Sequence, residues 1–247
     1  MTVLVLLLLA GLIAGVQNAL AGGGSFITLG TLVFAGLDPR AANITSTIAL
    51  FPGQVATGYA GRRLASGAER LSFAALFVIS IAGGVLGALL LLATSPSFFA
   101  GLVPWLVLFA TGVFFWGSFV RQTPKDALPV GPHAAALSQL LIAIYGGYFG
   151  GGIGFLMLAA LTVAGLPVRT AAATKNVLAA AMNASAFVIF LFSRDVHWLH
   201  AAVLGAGAIA GGVLGSSLLT RVNDRWLRLG VVVLGVALTA GLFLRGS

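Results

Sequence analysis

Lys175 is the one cation that the sequence sets well inside an apolar run, in residues 168–192, where Thr174, Asn176 and Asn183 accompany it. Counted from Pro167, it stands about two helical turns in, roughly 12 Å along the axis. An ammonium near a bilayer centre costs about 2.5–3.5 kcal/mol on insertion scales. Such a group either snorkels to the interface on its flexible stem or is kept for a task. Asn176 and Asn183 are seven positions apart and share one helical face, and Thr47 and Gln54 repeat that spacing on an earlier segment. A cation beside amides in a low-dielectric setting suits an anion: the ammonium supplies charge and the amides donate hydrogen bonds. The amides have a second reading, as interhelical hydrogen bonds that hold the bundle together.

Two glycine breaks form the other constellation, Gly22, Gly23, Gly24 with Ser25, and Gly150, Gly151, Gly152. A helix that starts after a break presents unpaired N–H groups and the positive end of its dipole. Two such starts facing each other near the midplane would make an anion site. Close helix packing is the structural alternative, and it is the reading preferred for Gly83-xxx-Gly87 and Gly211-xxx-Gly215. A dinucleotide fingerprint is excluded by spacing, since GxGxxG is absent and no strand precedes the glycines.

Several chemistries are excluded by the residues that remain. All five acids, Asp38, Glu69, Asp126, Asp195 and Asp224, fall in loops or at helix ends. That leaves no buried carboxylate for a sodium site or a proton relay. The chain has no cysteine, hence no disulfide, thiolate nucleophile or cysteine-held metal, and no cofactor is expected. His197 and His200 sit at the entry to a span, where capping is the expected role. A remote alternative, an intramembrane serine hydrolase, would recruit Ser25 with a histidine base. The histidines lie near span ends, which disfavours it.

The elements that must position these groups are membrane helices. Of 247 residues, 60% are hydrophobic and 7% charged, against about 25% charged in a soluble domain. Apolar runs long enough for a roughly 30 Å hydrocarbon core recur throughout. The formal charge of +8 then reports orientation and not a nucleic-acid partner. Residues 3–21 end in Ala19-Leu20-Ala21, which resembles a signal-peptidase site, but a basic n-region is missing and a retained helix is expected. A short segment, 25–36, follows the first break. Asp38-Pro39 reads as an N-cap with proline at the first helical position, opening a helix to about Tyr59 with Pro52 as a kink. Spans 71–93 and 98–120 follow, joined by Thr94-Ser95-Pro96-Ser97, and residues 121–132 form a polar, proline-rich linker.

The second half repeats the first. A shift of 129 places Gly22-Gly23 on Gly151-Gly152, Phe26 on Phe155, Arg40 on Arg169 and Thr45 on Thr174; further on, Ala82–Gly87 recurs identically as Ala210–Gly215. The second half then reads as 133–149, a short 153–165, 168–192, 198–219 and 226–244. The expected fold is an all-α polytopic membrane protein of two repeats, 1–120 and 133–247. Each repeat is a broken short helix pair plus three long spans, giving about 8–10 transmembrane segments. The broken pair adds two crossings or, as a re-entrant hairpin, none. Either way each half crosses an odd number of times, so the repeats are inverted.

Charge supports that plan. Arg62, Arg63, Arg70, Arg121, Lys125, Arg169, Arg221, Arg225 and Arg228 fall on one side, and Arg40, Arg194 and Arg245 on the other. The rich side is expected to be cytoplasmic, which leaves both termini outside.

With these residues in view the chain resembles a family, the TauE/SafE sulfite and organosulfonate exporters, over nearly its whole length. The resemblance rests on GVQNALAGGGSFITLGTLVFAGLDPRAANITST, on its echo YGGYFGGGIGFLMLAALTVAGLPVRTAAATKNVLAAAMN, and on the AGGVLG repeats. Two departures stand out. FITLGT and FLMLAA lack the proline common in the family's short helices, and SRDVHW replaces a glycine-centred loop. The resemblance implies a multi-pass inner-membrane transporter of small sulfur-containing anions, with the two halves enclosing the substrate. On that expectation Lys175 supplies charge, while Asn176, Asn183, Thr174, Thr47, Gln54 and Thr45 supply hydrogen bonds. The glycines and Ser25 line the break. A transporter of another small solute or ion is the runner-up; a metal cation would need clustered ligands that the spans lack.

Overall fold

Ten α-helices follow one another in the structure, a computed structural model that describes residues 2–20, 23–68, 71–120, 131–218 and 224–246. They are α1 (Thr2–Leu20), α2 (Gly24–Phe34), α3 (Pro39–Gly61), α4 (Phe73–Ala93), α5 (Pro96–Phe115), α6 (Pro132–Tyr148), α7 (Ile153–Val163), α8 (Val168–Phe190), α9 (Trp198–Leu218) and α10 (Asp224–Gly246). A π-helical turn, Trp116–Val120, continues α5. Among the described residues there is no strand, only an isolated bridge between Ala68 and Leu71. Gly22 and linker residues 121–130 lie outside the described residues.

Among the described residues, five helices are long and apolar enough to cross a membrane, within Thr2–Ala19, Phe73–Ala93, Pro96–Phe119, Val168–Phe190 and Trp198–Gly215. α3 is as long as α8 but falls outside that set on composition, because its first half carries Asn43, Thr45, Ser46 and Thr47. Those residues are buried or partly buried among other helices, where a polar face is tolerated. The architecture is that of an all-α polytopic membrane protein.

Local signals in the chain set the helix ends. Asp38 caps α3 by accepting the N–H groups of Arg40 (3.0 Å) and Ala41 (3.1 Å), with Pro39 at the first helical position. Ser72 and Ser95 cap α4 and α5 through the N–H groups of Ala75 (3.1 Å) and Phe98 (3.2 Å). α5 therefore begins at Pro96, two residues before the expected start. The short helices α2 and α7, 11 residues each, are about 16 Å long and cannot span a bilayer alone. Both end in the same way: Gly36 and Gly165 turn left-handed at φ 99 and 85, and the next residue's N–H bonds back to Leu32 O or Leu161 O at 3.1 Å.

Packing repeats between the halves. α1 lies parallel on α9, and α6 lies parallel on α4. In both seams glycines let backbones touch: a Cβ on Gly11 would collide with Leu204 O, one on Gly211 with Leu12 O, and one on Gly87 with Ile144 O. The AGGVLG repeats are thus close-packing segments, as their spacing suggested. α3 and α8 cross in opposite senses, with Phe51 stacked on Phe187 (ring centroids 4.3 Å apart), Gly58 against Ala180 and Gly61 against Ala173. α5 and α10 are likewise antiparallel, pairing Thr111 with Gly235 and Trp105 with Phe243. Exchanging α1–α5 with α6–α10 maps this set of pairings onto itself.

Candidate substrate cavity

Both glycine breaks open onto one cavity of about 780 Å³, enclosed by helices from both halves. Gly23 (φ 82) and Gly152 (φ 74) hold left-handed backbone that residues with side chains rarely adopt, and this folds each short helix back along its predecessor. The cavity occupies the part of the bundle toward Arg62 and Arg63: the second half of α3, the first half of α8 and the second half of α9. Toward Arg40, the start of α3 is buried from Ala41 to Ser46.

The expected site residues divide into two groups. Lys175, Asn176, Asn183 and Gln54 line the cavity, as do Gly23, Ser25, Gly150 and Gly152. The seven-residue spacing therefore points both α8 amides into one space. Asn183 donates its Nδ2 to Ala179 O (2.9 Å), and Gln54 has a buried Oε1 without a partner among the described residues. The remaining candidates face elsewhere. Thr45 and Thr174 are buried and bind loops, accepting the backbone N–H of His197 (3.2 Å) and Ser66 (3.0 Å). Thr47 donates to Asn43 O one turn back (2.9 Å). Gly24 is wedged against Ala14 and Asn18, and Gly151 against the rings of Phe149 and Phe26.

Lys175 lies along the first half of α8 with its side chain against α7. Its Nζ stands 3.7 Å, and its Cδ 3.8 Å, from the position a Cβ on Gly154 would take, alongside the first turn of α7. Among the described residues no hydrogen bond or ion pair to Lys175 is found. At the equivalent position of the first half stands Ser46, whose hydroxyl pairs with that of Thr28 at 2.6 Å.

The two short helices differ at their starts. At α2 the amide of Asn18 closes the helix end, its Oδ1 accepting Gly24 N–H at 2.8 Å. The matching position in the second half is Gly147, which has no side chain to offer. In the first turn of α7 the Phe155 N–H bonds to Gly152 O (3.1 Å), leaving the N–H groups of Ile153 and Gly154 at the helix start. The two starts are therefore not equal partners in an anion site. The α2 end is closed by Asn18, and the α7 end is open beside an ammonium.

Arg228, near the start of the expected span 226–244 and counted in the sequence among the charges that set orientation, lies in the second turn of α10 and lines the cavity. Among the described residues no acid and no histidine lines it, so Ser25 meets no base there. Asp38 is a helix cap, and Asp195 pairs with Arg40 at 2.5 Å. Glu69 and Asp126 lie outside the described residues. A smaller cavity of about 210 Å³, between α4, α6 and α7, has apolar walls apart from Ser138 and Gln139.

Comparison with known proteins agrees with this architecture. The family model "Sulfite exporter TauE/SafE" matches residues 7–242. A probable membrane transporter protein of Haemophilus influenzae is 30% identical, the match covering 96% of this chain and 93% of the relative. One from Sinorhizobium is 32% identical over 95% and 90%, and YfcA of Escherichia coli K12, also described as a probable membrane transporter protein, is 28% identical over 96% and 88%. No solved structure matches the chain.

Proposed function

The chain belongs to the sulfite exporter TauE/SafE family and is a multi-pass membrane transporter; from that premise we propose that it exports a small sulfur-containing anion, sulfite or an organosulfonate. The observation that carries this reading is the position of Lys175. Its ammonium lies in a cavity that no carboxylate lines among the described residues, against the open start of α7. Cation and helix start both favour negative charge at one place. Asn176, Asn183 and Gln54 supply amide hydrogen bonds around it, with Gly23, Ser25, Gly150 and Gly152 forming the rest of the polar wall.

The two halves act as inverted repeats in the cell inner membrane, with the Arg62–Arg63 end cytoplasmic and both termini outside. Antiparallel pairing of the equivalent helices α3 with α8 and α5 with α10 supports the inversion. The excess of basic residues on one side supports the orientation. The cavity lies toward that end, which supports reading this conformation as inward-facing. Export follows by alternating access, when helices of the two halves shift and close this side.

Flux from purified protein in proteoliposomes tests the reading, using sulfite, alkanesulfonates, sulfate, a cation and a neutral solute, with and without a pH gradient. Saturable movement of sulfite or a sulfonate is expected. Transport of the cation or neutral solute alone would overturn it.

A further inference from the structure

Gly154 is unlike the glycines whose role the fold explains. Its backbone is ordinary helix and not left-handed, so conformation does not demand glycine there. Packing does not demand it either: a Cβ at this position would meet only Nζ and Cδ of Lys175, at 3.7 and 3.8 Å, which is ordinary van der Waals contact. By contrast, a Cβ on Gly87, Gly147 or Gly211 would strike backbone of a neighbouring helix. A glycine inside a helix costs about 0.5–1 kcal/mol relative to alanine. Here it leaves space at the place where the cavity's ammonium, without a partner among the described residues, faces the first turn of α7. The equivalent position in the first half is Ser25, next to a helix start that Asn18 already closes.

We infer that Gly154 is a specificity-determining residue, whose missing side chain leaves the room in which the oxyanion head of the substrate meets Lys175. The inference rests on the anion-exporter reading above and assigns the head to one end of the cavity. An oxygen of the head accepts from the ammonium at ordinary charge-assisted distance, about 2.7–2.9 Å. Another can accept the N–H groups at the start of α7. The remainder of the substrate extends into the wider cavity. A methyl group on residue 154 would cover one side of the ammonium and hold the head away from it. The penalty should grow with the bulk attached to sulfur.

The test compares Gly154→Ala, Gly154→Val and the parent in proteoliposomes, with sulfite and methanesulfonate as the probes. Gly101→Ala serves as a control, since a Cβ there meets nothing within 4 Å. Gly154→Ala should insert normally, because its Cβ finds only ordinary contacts. It should raise KM by about tenfold for methanesulfonate, less for sulfite, and leave the maximal rate per inserted protein near the parent's. Gly154→Val should extend the same trend; if it fails to insert, the alanine variant alone decides. Parental KM in Gly154→Ala together with lost affinity in Lys175→Gln would overturn the inference and leave the anion reading standing. Parental KM in both variants would overturn both. A fall in rate with KM unchanged would make Gly154 a hinge and also overturn the inference.

Discussion

Thr45 and Thr174, equivalent residues of the two halves, each hold a loop that belongs to the other half. Thr45 accepts the N–H of His197, just before α9, and Thr174 accepts the N–H of Ser66, just before α4. The two contacts lie at opposite ends of the bundle, near Arg40 and near Arg62. Neither hydroxyl faces the cavity. Both residues join loop to core.

Thr45→Val and Thr174→Val should therefore lower stability without changing affinity. Each substitution leaves a partly buried backbone N–H without its acceptor, a loss of about 1–3 kcal/mol. Thermal unfolding in detergent should show a lower Tm for both, while KM for the transported anion stays at the parental value. A raised KM at unchanged Tm would return these threonines to the binding site.

Arg40 ties three elements at its end of the bundle. Its guanidinium donates to Thr94 O and to the Asp195 carboxylate, both at 2.5 Å, and to Leu92 O at 3.4 Å. Asp195→Asn should loosen the loop before α9 and lower Tm, leaving KM unchanged because Asp195 is remote from the cavity walls. Neutralising Glu69, Asp126 or Asp224 should also leave transport intact. Loss of pH-dependent flux in any of these variants, with protein still in the membrane, would place a carboxylate in the coupling step.

The inverted arrangement can be tested by labelling, since no native cysteine interferes. Arg63→Cys should react with an impermeant maleimide only from the cytoplasmic side, and Ser95→Cys only from outside. Labelling of both from one face would contradict inversion of the halves.

What the sequence made legible, and what it hid, follows from how local each signal is. The glycine breaks, the Asp38-Pro39 cap and the AGGVLG seams depend on backbone conformation or close approach, which residue type alone reports. The seven-residue spacing placed Asn176 and Asn183 on one face and, by repetition, led to Gln54. Periodicity could not say what satisfies a hydroxyl. Thr174 and Thr45 find partners 108 and 152 positions away, and Thr47 is satisfied within its own helix. Arg228 was passed over because, near the start of the expected span 226–244, it read as one more charge setting orientation, whereas α10 starts at Asp224 and carries it into the cavity wall. The unequal helix starts depend on Asn18 facing Gly147 across the repeat, a difference that becomes a signal only once the fold shows Asn18 bonded to Gly24.

Lys175 carries the sharpest expectation. If its ammonium meets the anion in the water-poor space beside α7, Lys175→Gln removes a charge-assisted contact worth about 1.5–3 kcal/mol. Apparent affinity should fall by about tenfold to a hundredfold. Lys175→Glu should be worse, since a negative charge there repels the anion and opposes the helix start. Lys175→Arg keeps the charge but not its shape or reach and should retain part of the function. Removing an intramembrane charge eases insertion, so the glutamine variant should reach the membrane at least as well as the parent. Normal affinity in Lys175→Gln, measured at matched protein level, would mean that the ammonium does not touch the substrate, and the anion site beside α7 would have to be abandoned.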